Sequence, residues 1–267
     1  MVSSLKIKIE QRNGKSFLKD AYVTQPFRIM PVGQYKKDDA AHLMIMSSSP
    51  GLLDNDDHQI EITLAENTRM QLQTQAYQRL YHMENKSSQT TLIYMEPGSG
   101  FSFVPHPVVP QNSSTFISHN KVYLKEDCHF LLSDIITCGR KLSGEQFMYN
   151  HFQNLTEIYY NDKLQVKDNV LLQPQLMPIQ GMGLLENFTH QGTLLYYNTA
   201  GVSVADFIEH FHHEFSEIPD LEFGISKLEG DGFIIRVLGH GAEKLFAIFQ
   251  SIQDKVWNTS FLQYQSK

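Results

Sequence analysis

Apolar and polar residues alternate in short runs along the first two-thirds of the chain, with the two-residue period of half-buried β-strands. Leu5, Ile7 and Ile9 alternate with Lys6, Lys8 and Glu10, and Asn13-Gly14 predicts a hairpin turn into a strand at residues 16–19. Residues 25–32 read as extended, because Pro26 and Pro31 each limit helix. Residues 42–46 form a short, nearly continuous apolar strand. Ile60, Ile62 and Leu64 alternate into a tight turn at 65–68, and Met70, Leu72 and Thr74 alternate back, which predicts a β-hairpin. The same cadence recurs three times. Leu92 and Tyr94 lead through Pro97-Gly98-Ser99-Gly100 to Phe101 and Phe103. Val122 and Leu124 lead through residues 125–127 to Phe130 and Leu132, and residues 155–160 through Asn161-Asp162 to 164–166. Short strands with frequent turns, and no helical period through roughly residue 175, predict an all-β body.

The pattern changes around residues 174–178. After a strand at 193–197, Ser203 stands at an N-cap with Asp206 at the capping-box position. Val204, Phe207, Ile208, Phe211, Phe215 and Ile218 then repeat at helical spacing. Strands at 221–228 and 233–238 flank Glu229-Gly230-Asp231-Gly232, and a second amphipathic helix is expected from about 242 to 257. The order β-α-β-β-α divides the chain into an all-β body, 1–178, and a small α+β unit, 179–267. The join is neither long nor Gly/Ser-rich, so the unit is expected to pack on the body.

Composition narrows the partners. With 267 residues, 41% hydrophobic and 19% charged, the chain can bury a core of ordinary globular type. A net charge of −7 and the lack of a basic stripe argue against nucleic acid. No apolar run approaches the ~20 residues of a bilayer span, so no membrane partner is expected. The first residues lack the apolar core of a signal peptide. Cys128 and Cys138, without CxxC spacing, suit free thiols in a cytoplasmic protein.

Candidate chemistry concentrates in residues 133–147. Asp134 sits inside the apolar run of Phe130, Leu132, Ile135 and Ile136, where a carboxylate is costly unless paired, hydrogen-bonded or metal-bound. Gly139 ends that strand and Arg140 follows. Gly144 breaks the chain again and delivers Glu145 into a second expected strand at 146–149. Asp134, Arg140 and Glu145 are therefore expected as one charge-balanced cluster at a strand–turn–strand corner, with a structural ion pair as the plain reading. The aspartates at 54, 56 and 57 lack EF-hand spacing and suit either a solvated acidic turn or a site. His210, His212 and His213 read as a polar helix face, with His210 and His213 close enough for weak metal affinity. Neither a nucleotide-binding glycine loop nor GxSxG occurs, so motifs alone assign no reaction class.

Several motifs, taken in order, resemble the urease accessory protein UreD family, called UreH in some bacteria. The family's Gly-Gly-x-x-x-Gly-Asp loop stands here as Pro50-Gly51-Leu52-Leu53-Asp54-Asn55-Asp56. Pro50 and Asn55 replace glycines, and asparagine tolerates positive φ, so the turn before Asp56 is expected to survive. Thr74-Gln75 through Arg79 and Tyr81 matches Thr-Gln-x-x-x-Lys-x-Tyr, with arginine for lysine. Pro105-His106-Pro107-Val108-Val109-Pro110 matches a proline run. Asp134, Gly139-Arg140 and Gly144-Glu145-Gln146-Phe147 match an acid followed by Gly-Arg and Gly-Glu-x-Phe, although the family more often has glutamate at position 134. An acid recurs at Asp168-Asn169. The match spans about residues 26–174; beyond it only the pattern and residues 189–192 agree.

The resemblance implies an elongated, helically wound β-structure with a few helices, consistent with the strand count. It implies a non-enzymatic role in nickel delivery: binding UreF directly and the GTPase UreG through UreF, and docking on apo-urease in a two-fold symmetric hetero-oligomer. No cofactor would be tightly bound, and nickel would be in transit through the interior. Asp56, Asp134 and Asp168, with Glu145 close behind, are the expected path residues, since carboxylate and water hold nickel more loosely than imidazole or thiolate. Gly139, Arg140, Gly144, Gln75 and Tyr81 are expected to build a supporting corner, with Arg140 bracing Glu145. Two other readings stand beside this one: a β-helix hydrolase using Asp134 and Glu145 as acid and base, and a scaffold that carries no ion.

Overall fold

A computed structural model describes residues 1–261, so the last six residues of the expected C-terminal unit lie outside the described residues. Asn13 and Gly14, both at positive φ, turn β1 (Val2–Arg12) into β2 (Lys15–Val23) as an antiparallel hairpin. β3 (Phe27–Pro31) and β4 (Ala41–Ser47) pair at the edge of a second sheet. From there the chain winds. β5 (Asp57–Leu64) lies in the first sheet, while β6 (Arg69–Thr74) and β7 (Gln78–Leu80) lie in the second. The next coil repeats this with β8 (Ser87–Met95), β9 (Gly100–Phe103) and β10 (Val108–Pro110), and the third with β11 (Thr115–Leu124) and β12 (His129–Thr137). β13 (His151–Tyr160) and β14 (Lys163–Leu172) return to the first sheet and close its edge as a true hairpin. The first sheet runs β14-β13-β11-β8-β5-β1-β2, parallel from β13 to β1.

Three of the expected hairpins are therefore arches between sheets. β5 does not pair β6, nor β8 β9, nor β11 β12. Alternation fixes which side of a strand is buried but not which strand it pairs with, and both arms of an arch face one interior. The turns themselves carry the difference. Asn67, Gly98 and Asp127 occupy equivalent positive-φ positions, and each arch bonds to the next: Asn67 N–H to Pro97 O at 2.9 Å, Gly98 N–H to Glu126 O at 3.0 Å. Backbone groups that a hairpin would pair internally are satisfied by the neighbouring coil.

β15 (His190–Asn198) adds antiparallel to β12 and is followed by α1 (Ala205–Ser216), β16 (Glu222–Lys227), β17 (Asp231–Gly239) and α2 (Ala242–Val256). This is the expected β-α-β-β-α order. Its strands continue the second sheet as β16-β17-β15-β12, and its helices lay Phe207, Phe211, Phe215 and Phe249 on Leu131, Ile135 and Ile235 of that sheet's outer face. The whole is a mainly β, wound sandwich with a small α+β end.

One expected strand is absent. Residues 146–149 are loop, because Gly144 at φ 80° closes a 3-10 turn at Lys141–Ser143 and Phe147 at φ 54° sends its N–H back to Cys138 O at 2.7 Å. Left-handed backbone at two points three residues apart cannot propagate a ladder.

Candidate functional site

Every second residue of the first sheet points between the sheets, and at one height those residues are polar. Ser3, His58, Gln89, Ser118 and Asn154 are consecutive cross-strand partners from β1 to β13. One inward row along, Thr91, Asn120, Thr156 and Asp168 are partners from β8 to β14. Apolar rows bound this strip, with Ile62, Ile93, Val122, Ile158 and Val166 on one side and Phe116, Phe152 and Leu172 on the other. Polar groups are costly in such an interior unless bonded. Asn120 Nδ2 donates to Asn154 Oδ1 at 2.9 Å and to Thr156 Oγ1 at 3.2 Å. Burial lowers the pKa of His58, against the opposing charges of Asp56 and Asp57, which favours a neutral ring at pH 7.

The second sheet contributes the acid. Phe130, Leu132, Asp134 and Ile136 share the inward face of β12. Asp134 lies deep between the sheets, yet its surface is only partly buried, so it borders a space that a water-sized group can enter. Its carboxyl is pushed up to about 7, first by burial and then by the charge of Asp168, while Arg236 and a hydrogen bond from Asn154 act the other way. Thr193 is the cross-strand partner of Asp134, and Arg236 is the partner of Thr193. Arg236 forms an ion pair with Asp168.

Asp134 and Asp168 thus come together, while the other expected residues lie elsewhere. Glu145 accepts from Arg140 Nε at 2.9 Å and from Asn112 N–H at 3.3 Å, on the exposed rim. The expected single cluster of Asp134, Arg140 and Glu145 is two separate arrangements. The inward parity of β12 takes Asp134 inside, whereas Gly139 at φ 118° turns the chain out. A Cβ at Gly139 would lie 2.9 Å from Pro110 O and 3.0 Å from Glu145 O, so the corner requires glycine there. The acid–base pair of Asp134 and Glu145 that a hydrolase would use is not formed. Arg140 braces Glu145, Tyr81 N–H donates to Leu52 O at 3.0 Å, and Gln75 bonds through its backbone to Ile45 O with its side chain exposed.

Asn55 adopts φ 63°, keeping the turn before Asp56. Asp56 accepts from Leu53 N–H at 2.9 Å and faces the Met1 amine at 3.4 Å, and Asp54 holds the Asn85 side chain at 3.0 Å. The acidic turn is a clasp, placed at the β1–β5 end of the strip with Asp168 at the β14 end. His210 pairs with Glu214 at 3.3 Å and the His212 ring meets Phe223, both on an exposed helix face. Among the described residues, no three His, Cys, Asp or Glu side chains converge on one metal position. Arg236, Thr193 and the strip were not singled out from sequence. The available signal was polar residues at inward parity, as in Ser118-x-Asn120-x-Val122 and Asn154-x-Thr156-x-Ile158.

Fold and strip together define a class: a wound β-sandwich with a polar, acid-ended interior. A family model described as UreD urease accessory protein matches residues 2–266, and the chain belongs to that family. It is 46% identical over 257 residues to the urease accessory protein UreD of Flavobacterium johnsoniae, covering 96% of this chain and 93% of that one. It is 30% identical to the UreD of Acetivibrio thermocellus, covering 94% and 96%, and 33% identical to that of Actinobacillus pleuropneumoniae, covering 90% and 91%. The match extends through the C-terminal unit, beyond the motifs at residues 26–174. These relatives are named as accessory proteins of urease.

Proposed function

We propose that this chain hands nickel to apo-urease along the interior polar strip. It does so in the cytoplasm, bound to UreF and through UreF to the GTPase UreG, within a two-fold symmetric hetero-oligomer. It is a chaperone with no turnover of its own. The observation that supports this most is the continuity of the strip: polar register partners on each strand from β1 to β13, meeting Asp134 and Asp168 at the far side. A merely structural sandwich gains nothing from a polar row between two apolar ones.

The donor set fits a cargo in motion. Amide, hydroxyl and carboxylate oxygens with one imidazole bind nickel less tightly than clustered imidazoles or thiolates, and passage needs entry without a trap. Asp56 marks one end and the Asp134–Asp168 pair the other, while Glu145 belongs to the corner. The test is urease activation in cells whose only copy of this chain carries Asp134→Asn, with UreF co-purification alongside. Loss of activation with UreF retained supports the reading, and full activation refutes it. Loss of both would mark a folding defect, separated by the mutant's thermal midpoint.

A further inference from the structure

Between edge strand β14 and β17 the strip meets the surface at an open pocket of about 400 Å³, walled by Leu172, Leu184, Leu185, Phe223 and Leu238. Arg236 is the cation among its lining residues. Its side chain is 44% exposed, and it pairs inward with Asp168, which is 14% exposed. Behind that pair lie Asp134 and the hydroxyl of Thr193. Thr193 is 3% exposed, shares an inward face with both Asp134 and Arg236, and its Oγ1 finds no hydrogen-bond partner among the described residues.

We infer that Arg236 is a displaceable gate: its guanidinium serves as the resident counter-cation of the acid pair, and a divalent metal ion entering from the pocket takes its place. The incoming ion would meet the carboxylates of Asp134 and Asp168 and the unpartnered Thr193 oxygen, with water completing its shell. This rests on the reading of the strip as a nickel path. Two carboxylates at close range repel unless a cation lies between them. Arginine does this with one charge and a fork that fits carboxylate. A divalent ion carries twice the charge and takes a hydroxyl oxygen as a ligand, whereas the Arg236 guanidinium is turned to Asp168 and leaves the Thr193 oxygen unpartnered. Half-exposed at the pocket, the Arg236 side chain can leave toward water without losing a packed position. The ion pair thus holds the interior closed to weakly bound monovalent ions and yields to a divalent one.

The test titrates Ni²⁺ into the full chain by calorimetry, with far-UV circular dichroism confirming the fold of each variant. Removing a like charge beside the site in Arg236→Gln is expected to tighten binding roughly tenfold or more. Arg236→Lys, which keeps the charge and most of the bulk but not the fork, is expected to give a smaller gain, and adding Asp168→Asn to Arg236→Gln should abolish it. Unchanged or weaker binding in both single variants overturns the gate, as does a gain that survives Asp168→Asn. Urease activation by Asp134→Asn separates the two ideas. Lost activation with unchanged Ni²⁺ affinity in the Arg236 variants sinks the gate alone, whereas normal activation with tightened affinity sinks the path.

Discussion

The side-chain amide of Asn154 on β13 lies near enough to Asp134 on β12 to favour its ionised form, so one sheet's polar row reaches the other sheet's buried acid. The same side chain accepts from Asn120 Nδ2 at 2.9 Å, so the residue that meets the acid is itself part of the bonded strip.

Asp134 carries a pH signature. Its carboxyl titrates at about 7 in the folded chain against an ordinary value of 3.8. Between those values the folded state keeps a proton that the unfolded chain has lost. Stability therefore falls as pH rises through that window, by at most about 1.4 kcal/mol per unit from this group. The penalty is complete above pH 7 and absent below the unfolded value. Asp134→Asn, which carries no charge, is expected to be more stable than wild type at pH 8, with the advantage shrinking toward pH 4.5. Thermal midpoints of both proteins at three pH values check this, and a pH-independent difference contradicts it.

The stacked arches make a second prediction. Gly98 sits at φ 72°, and a Cβ there would lie 2.3 Å from Asn67 Oδ1 of the adjoining arch. Gly98→Ala is expected to cost about 1–3 kcal/mol, by backbone strain and the clash together. Gly14→Ala, at a similar φ with open space around it, should cost less. Urea midpoints at unchanged slope measure both.

On the outer face of the first sheet, Tyr94, Tyr123 and Tyr159 stack in a ladder with centroids 5.1 and 5.2 Å apart. Tyr123→Ala removes both contacts and is expected to destabilise by about 1–3 kcal/mol, at about 0.5–1.5 per pair beyond burial. Tyr94→Ala removes one contact, so it should cost about half as much. Equal costs in a chemical denaturation series would rule out the ladder as a source of stability.

Much of this fold is legible in the chain. Alternation gives the buried side of each strand, Asn13-Gly14 its hairpin, and the spacing of Phe207, Phe211 and Phe215 the helix on the second sheet. Partner choice is not legible, because Ile60–Ile62–Leu64 and Met70–Leu72 alternate alike whether they pair with each other or arch between sheets. The same limit governs the site. An acid among Phe130, Leu132 and Ile135 reads as one that needs a partner. Nearness in sequence suggested Arg140, but Arg140 lies beyond the turn at Gly139, on the rim. The partners, Asp168 and Arg236, arrive from distant strands through register. The strip is likewise invisible until Ser118 and Asn154 are known to be neighbours.

The most direct test replaces Asn120 by leucine, a side chain of similar volume that fills the middle of the strip with hydrocarbon and removes both hydrogen bonds that Asn120 donates. The measurement is the nickel content of urease matured in cells carrying only this variant, with UreF co-purification as the control for assembly. Passage of nickel along the strip predicts nickel-poor, inactive urease alongside intact UreF binding. Urease filled with nickel to the wild-type level would contradict it.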